Sequence, residues 1–216
     1  MKATALFVGG VAAALTIGTA GMAQAAHDTN PSKKVASYSY SLNAVQAPSV
    51  ANSRASGTTR VKTLPNGKVQ VNVEADGLMP NSPHAMHLHG VDGPAKDAGC
   101  PGPSADADGD GFVTTLEGLP SYGGILTSLT TTGDISPGSA LALDRFAVAD
   151  ASGHLSYSRT FSQASALANA DTVQIVIHGI DINGNGVYDF EAGPSSLTPD
   201  APLEATIPVL CGGIAN

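Results

Sequence analysis

The chain has 216 residues, a formal net charge of −8 at pH 7, no tryptophan and only 13% charged residues. This acidic balance argues against nucleic acid or an anionic membrane surface as a partner, and it is compatible with cation binding. Glycine and proline number 25 and 14, which favours short strands and tight turns over long helices.

The N-terminus has the pattern of a secretory signal. Lys2 precedes an apolar run over residues 3–22, and Ala23-Gln24-Ala25 then supplies the small residues of a signal-peptidase site. We therefore predict a signal peptide over residues 1–25 and a secreted protein, periplasmic or extracellular. A membrane anchor is the weaker interpretation, because glycine and threonine dilute this run and no later segment reaches about 18 apolar residues.

The rest of the chain divides into a short leader and one domain. Residues 26–35 are mainly polar and are predicted to form a flexible leader. Residues 36–216 suffice for one well-filled core, so we expect a single domain with no membrane insertion. The oligomeric state is left open.

Short alternating segments predict strands throughout this domain. Residues 65–67, Pro-Asn-Gly, predict a hairpin, and residues 164–169 fit one short helix. About eight strands without a long helix indicate an all-β fold, an antiparallel Greek-key β-barrel or sandwich, with long loops at 91–124 and 179–202. Strands are predicted at 36–42, 60–64, 68–75, 84–90, 126–132, 141–148, 154–161, 172–178 and 205–210.

Three of the six histidines fall within residues 84–89. Side chains alternate along a strand, so His87 and His89 share one face, about 7 Å apart. Neutral imidazole is a common ligand of copper, zinc and nickel, so this pair predicts two metal ligands that point away from the core. A surface strand that carries histidines by chance is the alternative. His84 has the opposite parity and is predicted to be a structural residue that hydrogen-bonds to the backbone.

The only cysteines are Cys100 and Cys211. In an oxidising compartment two distant cysteines are expected to pair. Closing so long a loop stabilises a fold by about 4 to 5 kcal/mol if the chain-entropy account holds. Two buried thiols are the alternative.

Residues 106–117 match the twelve-residue calcium loop at its diagnostic positions. Carboxylates at positions 1, 3 and 5, a carbonyl at position 7 and a glutamate at position 12 come from Asp106, Asp108, Asp110, Phe112 and Glu117. The preceding segment, Cys100-Pro101-Gly102-Pro103, cannot form the entering helix of an EF-hand, so we predict a calcium loop on a β-protein. A solvated loop rich in aspartate and glycine is the alternative.

Residues 181–187 repeat the first half of the calcium pattern. Position 12 of this second loop is Ala192, which offers no ligand atom on its side chain. Fewer charged ligands predict weaker calcium binding, and an Asn/Gly turn is the alternative. The candidate ligands are Asp181, Asn183, Asn185 and Val187, with Asp189 and Glu191 as displaced candidates to close the site.

Several motifs together resemble the copper/zinc superoxide dismutase family. The spacing His84-x-x-His87-x-His89 resembles its histidine strand, and Cys100 follows in the next loop. Residues 173–178 resemble its late strand that ends in a copper-binding histidine, and residues 210–215 resemble its C-terminal disulfide segment. The resemblance covers about residues 68–216. It implies an eight-stranded Greek-key barrel, copper on His87, His89 and His178, and a disulfide between Cys100 and Cys211.

The chain also departs from that family's pattern. Between Cys100 and Arg145 it has no histidine, where the family has its bridging and zinc-binding histidines. Pro208 stands where the family has an arginine that guides the anion. These departures imply a copper site without zinc and slow dismutation. Both calcium-type loops fall where the family has its zinc and electrostatic loops, so calcium is expected to order them.

Two functions are left open. The first is a secreted copper-binding, dismutase-like protein with calcium-stabilised loops and slow superoxide or other redox chemistry, acting on superoxide or another small anion. No catalytic residue is predicted beyond the copper ligands. The alternative is a non-catalytic copper- and calcium-binding structural module, similar to chordin-type (CHRD) domains. His154 and His27 are weaker ligand candidates.

Overall fold

The computed structural model of the chain describes residues 35–91 and 99–213. Eight β-strands and three short α-helices lie within them, which confirms the predicted all-β class. The strands are β1 (Ala36–Ala44), β2 (Ser56–Thr63), β3 (Val69–Asp76), β4 (Met86–Gly90), β5 (Gly124–Ser128), β6 (Leu155–Phe161), β7 (Gln174–His178) and β8 (Pro208–Gly213). The helices are α1 (Thr115–Tyr122), α2 (Ala164–Ala168) and α3 (Leu203–Thr206). The predicted signal peptide, His27 and nearly all of the predicted leader lie outside the described residues.

Strand pairing is antiparallel throughout one curled sheet, whose strand order is β5-β4-β7-β8-β1-β2-β3-β6. β4 lies between β5 and β7, although β7 follows much later in the chain. In this register Met86 pairs with Ile177, and His87 pairs with Val176. The crossover therefore brings His178, at the end of β7, beside the histidine strand.

Alternation in β2 and β3 explains why these strands form. Val69, Val71 and Val73 are fully buried, whereas the polar residues between them lie on the other face. The hairpin turn before β3 uses Gly67 at φ 74°, a left-handed conformation that glycine adopts without steric cost. The predicted hairpin at residues 65–67 is therefore present.

The main core fills the concave side of the sheet. It combines valines of β2 and β3 with Leu88 of β4, Leu155 of β6 and Ile175 of β7. The helix α2 lies near β5, where the hydroxyl of Ser165 and the amide of Gln163 each donate to the Leu126 carbonyl at 3.4 Å. Every residue of β4 and of β7 is buried, so both faces of these two strands are covered.

A second, smaller cluster lies against β7 and β8 and holds the loop before α1. Val113 and Tyr122 pack there with Val176 and with the disulfide. The Cys100–Cys211 disulfide is formed, with a Cα–Cα distance of 5.6 Å, as predicted. It attaches this loop covalently to β8 and so helps to hold it over the outer face of the sheet.

Some predicted elements were wrong. Residues 141–148 do not form a strand but a loop with a 3-10 turn at Leu143–Arg145. The Arg145 guanidinium donates to the carbonyl oxygens of Thr132 and Asp134, which draws this segment into a compact loop instead of a ladder.

Two helices were also missed. The predicted loop over residues 91–124 contains α1, and the predicted strand over 205–210 starts only at residue 208 because α3 precedes it. Across the described part of the chain, no helix has the length and apolar character needed to cross a membrane.

Candidate metal centre

Three histidines meet where β4 and β7 run side by side. His87 and His89 share one face of β4, and His178 is the last residue of β7. Their ring centroids lie between 5.1 and 6.3 Å apart. Loops cover this face of the sheet, so each side chain is 3% exposed or less. The imidazoles therefore face away from the main core. They are nevertheless buried, whereas histidines on a surface strand would be exposed to solvent.

One ring nitrogen of each histidine lies within hydrogen-bond distance of a backbone carbonyl on a covering loop. The three pairs are His87 Nε2 with Ala140 at 3.2 Å, His89 Nδ1 with Gly123 at 2.9 Å, and His178 Nδ1 with Thr206 at 2.6 Å. A carbonyl oxygen can only accept, so each of these nitrogens carries the proton. In a neutral imidazole the opposite nitrogen is then left with its lone pair, which is the form that binds a metal.

The three opposite nitrogens point into one shared space. His87 Nδ1, His89 Nε2 and His178 Nε2 are buried without a hydrogen-bond partner. One ring nitrogen of each histidine lies within 4.8 Å of a ring nitrogen of the other two. In residues 35–91 and 99–213 only one other buried side-chain atom, Thr127 Oγ1, has no partner. A buried unsatisfied polar group costs about 1 to 3 kcal/mol. Three imidazoles grouped in this way could hold a metal ion.

Burial also keeps these imidazoles neutral. It lowers the pKa of His89 to about 3 and that of His178 to about 4. Burial, together with the neighbouring histidines, holds the pKa of His87 well below its ordinary value. Protons therefore do not compete for the three lone pairs at neutral pH.

A small cavity adjoins the three rings. Its volume is about 20 Å³, room for about one water-sized particle. Its lining is mostly apolar and contains no carboxylate, ammonium or guanidinium group. Besides the histidines, the lining consists of Ala85, Thr115, Ile125, Ala140, Leu141, Leu197, Ala205 and Thr206.

The helix α1 forms one wall of the site. The Tyr122 ring packs on His89 at a centroid distance of 4.5 Å, and its hydroxyl donates to the Thr115 carbonyl at 2.7 Å. Gly123 ends the helix at φ 77°, where a Cβ would lie 2.6 Å from the Gly90 oxygen. This tight approach places the Gly123 carbonyl against His89.

Sequence reasoning missed this helix. The one signal is the capping box formed by Thr114 and Glu117, a Thr-x-x-Glu pattern that overlaps the end of the predicted calcium loop.

The first calcium-type loop brings three of its predicted carboxylates together. Oxygens of Asp106, Asp108 and Glu117 lie within 4.8 Å of one another, whereas Asp110 is not part of this group. Asp110 instead accepts the amide of Phe112, the predicted carbonyl ligand, at 2.8 Å. The loop is thus closed by hydrogen bonds between its acidic side chains and its own backbone.

The second calcium-type loop has a similar backbone but fewer clustered charges. Asp181 accepts the amides of Gly184 and Gly186 at 2.8 and 2.9 Å. In the described residues, no three acidic side chains of this loop come as close as those of the first. The amide groups of Asn183 and Asn185 donate to Asp189, Asn183 also donates to Glu191, and Asn185 Oδ1 accepts the Val187 amide at 3.0 Å.

Glu204 was not predicted as part of either loop. It is fully buried, and its Oε1 accepts the amides of Ile182 and Asn183 at 2.7 and 3.3 Å. These amides belong to positions 2 and 3 of the second loop. Glu117 accepts the amides at the same two positions of the first loop, Ala107 and Asp108, at 2.8 and 3.3 Å. Glu204 therefore makes the same backbone hydrogen bonds to the second loop that Glu117 makes to the first.

Two other histidines lie outside the cluster. His84 is fully buried, and its ring nitrogens lie 2.9 and 3.1 Å from the carbonyl oxygens of His178 and Met79. His154 is partly exposed at a hairpin, where its ring contacts Asp76 at 2.8 Å and Glu74 at 3.4 Å.

Comparisons with known proteins show similarity of structure only. No protein-family model matches the sequence, and no curated protein matches it. The clock protein EA4 is 18% identical, with 81% of this chain and 92% of that chain covered and a TM-score of 0.39.

A mutant form of Candida albicans superoxide dismutase 5 is 15% identical, with 83% of this chain and 90% of that chain covered and a TM-score of 0.39. The Cu(II) form of the same protein is 14% identical, with 82% and 91% covered and a TM-score of 0.38. Similarities at these levels do not show a family for this chain, so its function has to follow from its own residues.

Proposed function

We propose that this chain is a secreted copper-binding protein with a dismutase-like β-fold. One observation carries the proposal: His87, His89 and His178 each have a buried, unpartnered ring nitrogen, and the three side chains bring ring nitrogens within 4.8 Å of one another. Three imidazoles without a carboxylate form a site that suits copper. The backbone carbonyls behind each ring fix the tautomer and orientation that metal binding needs.

The residues around this site favour slow redox chemistry. Copper would supply the Cu(II)/Cu(I) couple for one-electron exchange with superoxide or a similar small anion. The histidines hold their lone pairs ready, and the apolar lining restricts access to about one small molecule. No cationic side chain lines the cavity, and Pro208 occupies the place of the expected arginine, so anions are not drawn in electrostatically.

Zinc is not part of the proposed site. The segment from Cys100 to Arg145 has no histidine, and the described loop residues bring no further imidazole to the copper ligands. A second metal bridged through a shared histidine therefore has no ligand here. The proposed loop cation is calcium instead.

We propose calcium in both acidic loops as a structural ion. The clustered carboxylates of the first loop are hard oxygen donors that repel one another without a cation. The second loop has fewer charges and is proposed to bind more weakly. The ligands of the first site are Asp106, Asp108, Asp110, Phe112 and Glu117, and the candidates of the second are Asp181, Asn183, Asn185, Val187, Asp189 and Glu191.

The second candidate function is a non-catalytic copper- and calcium-binding module. The small, uncharged cavity favours it, because about 20 Å³ leaves little room for turnover. The two candidates share the copper site and differ only in measurable superoxide consumption. A dismutase rate near the diffusion limit would contradict both.

The test is copper binding by purified protein and its histidine variants. We expect one copper per chain and a nitrogen-dominated paramagnetic resonance spectrum. His87→Ala and His178→Ala should lose this copper, because each removes one of three ligands. His154→Ala is the matched control and should keep it, since His154 is partly exposed and lies outside the cluster. Stoichiometric copper that survives the His178 substitution would show that the three-histidine site is wrong.

A further inference from the structure

Glu204 connects the second acidic loop to the one-turn helix α3. Its Oε1 accepts from Ile182 and Asn183, and its Oε2 accepts the Asp189 amide at 2.9 Å. Three backbone amides thus converge on one buried carboxylate, which has no exposed surface. Such charge-assisted bonds are stronger than neutral ones and fix the carboxylate in one place. The segment after His178 is therefore tied to α3.

Two residues after Glu204, the same helix reaches a copper-ligand histidine. The Thr206 carbonyl accepts His178 Nδ1 at 2.6 Å, and it also accepts the Thr115 hydroxyl at 2.6 Å. The hydrogen bond between His178 Nδ1 and the Thr206 carbonyl sets the side-chain torsion of the His178 ring. The position of α3 therefore controls the direction in which His178 Nε2 points.

We propose that Glu204 is a positioning residue for His178. This inference rests on the proposed copper site. Strand β7 holds the His178 backbone, and the hydrogen bond from His178 Nδ1 to the Thr206 carbonyl orients the ring. The carboxylate holds α3 at its start and so keeps that carbonyl where the ring nitrogen needs it. Glu204 touches no ligand atom and acts only through the helix.

The expected effect follows from the length of this connection. Changing a group that hydrogen-bonds directly to a metal-ligating histidine costs about 10- to 100-fold in affinity. Glu204 acts on His178 only through α3, so we expect the loss of copper affinity to lie at the lower end of this range, about 10-fold. A group that only stabilises the fold would lower the melting temperature without changing the copper site.

The experiment uses the full-length protein in calcium-containing buffer. Copper affinity is measured by competition with a chelator, and the paramagnetic resonance spectrum is recorded at copper saturation. Glu204→Gln should weaken copper about 10-fold and shift the spectrum, because an amide cannot accept from three backbone amides in the same way. Glu74→Gln is the matched control, the same chemical change on the exposed face of β3.

Two outcomes would overturn the inference. Unchanged affinity and an unchanged spectrum in Glu204→Gln would show that Glu204 is only structural, even with a lower melting temperature. If Glu204→Gln does not fold, the Glu204→Asp variant serves as the test. Aspartate keeps the negative charge, but its side chain is one methylene shorter. An unchanged spectrum and affinity there would equally reject the role. Wild-type protein that binds no copper would instead refute the proposed function itself.

Discussion

Acid sensitivity of the copper-free protein is a direct consequence of burying neutral histidines. His178 has a pKa of about 4 in the folded chain, lowered by burial from the ordinary value of 6.5. Above pH 6.5 the residue is neutral in both states and contributes nothing to pH dependence. Between pH 6.5 and 4 the unfolded chain binds a proton that the native chain does not, so the free energy of unfolding falls as the pH falls.

The magnitude follows from the width of that window. One proton bound only by the unfolded state changes the free energy of unfolding by about 1.4 kcal/mol per pH unit. Over the window of His178 the sum is about 3 kcal/mol, a large share of a typical total of about 5 to 15 kcal/mol. In the His178→Gln variant, the loss of stability between pH 7.5 and pH 4 should be smaller by about this amount.

The assay is urea unfolding of metal-free protein, followed by circular dichroism and tyrosine fluorescence because the chain has no tryptophan. His154→Gln is the control. The hydrogen bond that His154 donates to the Asp76 carboxylate raises the pKa of His154, so its stabilisation is present below pH 6.5 and disappears above its raised pKa. The His154→Gln variant should therefore lose at least as much unfolding free energy between pH 7.5 and pH 4 as the wild type. An acid loss in His178→Gln equal to that of the wild type would refute the reasoning.

Two further predictions concern the loops and the disulfide. Calcium chelation should lower the melting temperature, because the carboxylates of Asp106, Asp108 and Glu117 would repel one another. Asp106→Ala should abolish most of that difference and the exposed Asp144→Ala should not, whereas identical melting curves with and without calcium would remove the claim. Titration of unfolded, non-reduced protein should detect no free thiol, and reduction should cost about 4 to 5 kcal/mol. Two thiols titratable before reduction would contradict the pairing of Cys100 with Cys211.

Much of the fold and part of the site follow from local pattern. Strand parity alone predicts that His87 and His89 share a face, because the side-chain period of a strand does not depend on its neighbours. The pairing of Cys100 with Cys211 followed from the predicted compartment and from their number. The hairpin at residues 65–67 followed from its turn residues.

The rest depends on non-local packing that no local pattern records. Residues 141–148 alternate well enough for a strand, but Arg145 bonds to carbonyls more than ten residues away and folds them into a loop. Glu204 lies 23 positions after the start of the second loop at Asp181, so a twelve-residue motif could not include it. The carbonyls that orient the histidines are backbone groups, which any residue type could provide.

The two helices that the sequence analysis missed, α1 and α3, each connect one acidic loop to one histidine of the cluster. α1 carries Glu117 in its first turn and ends at Gly123, whose carbonyl orients His89. α3 carries Glu204 and ends at Thr206, whose carbonyl orients His178. Each loop is therefore linked to one histidine of the cluster through a single short helix. These helices therefore offer a path by which the order of each loop can affect the orientation of one histidine in the cluster.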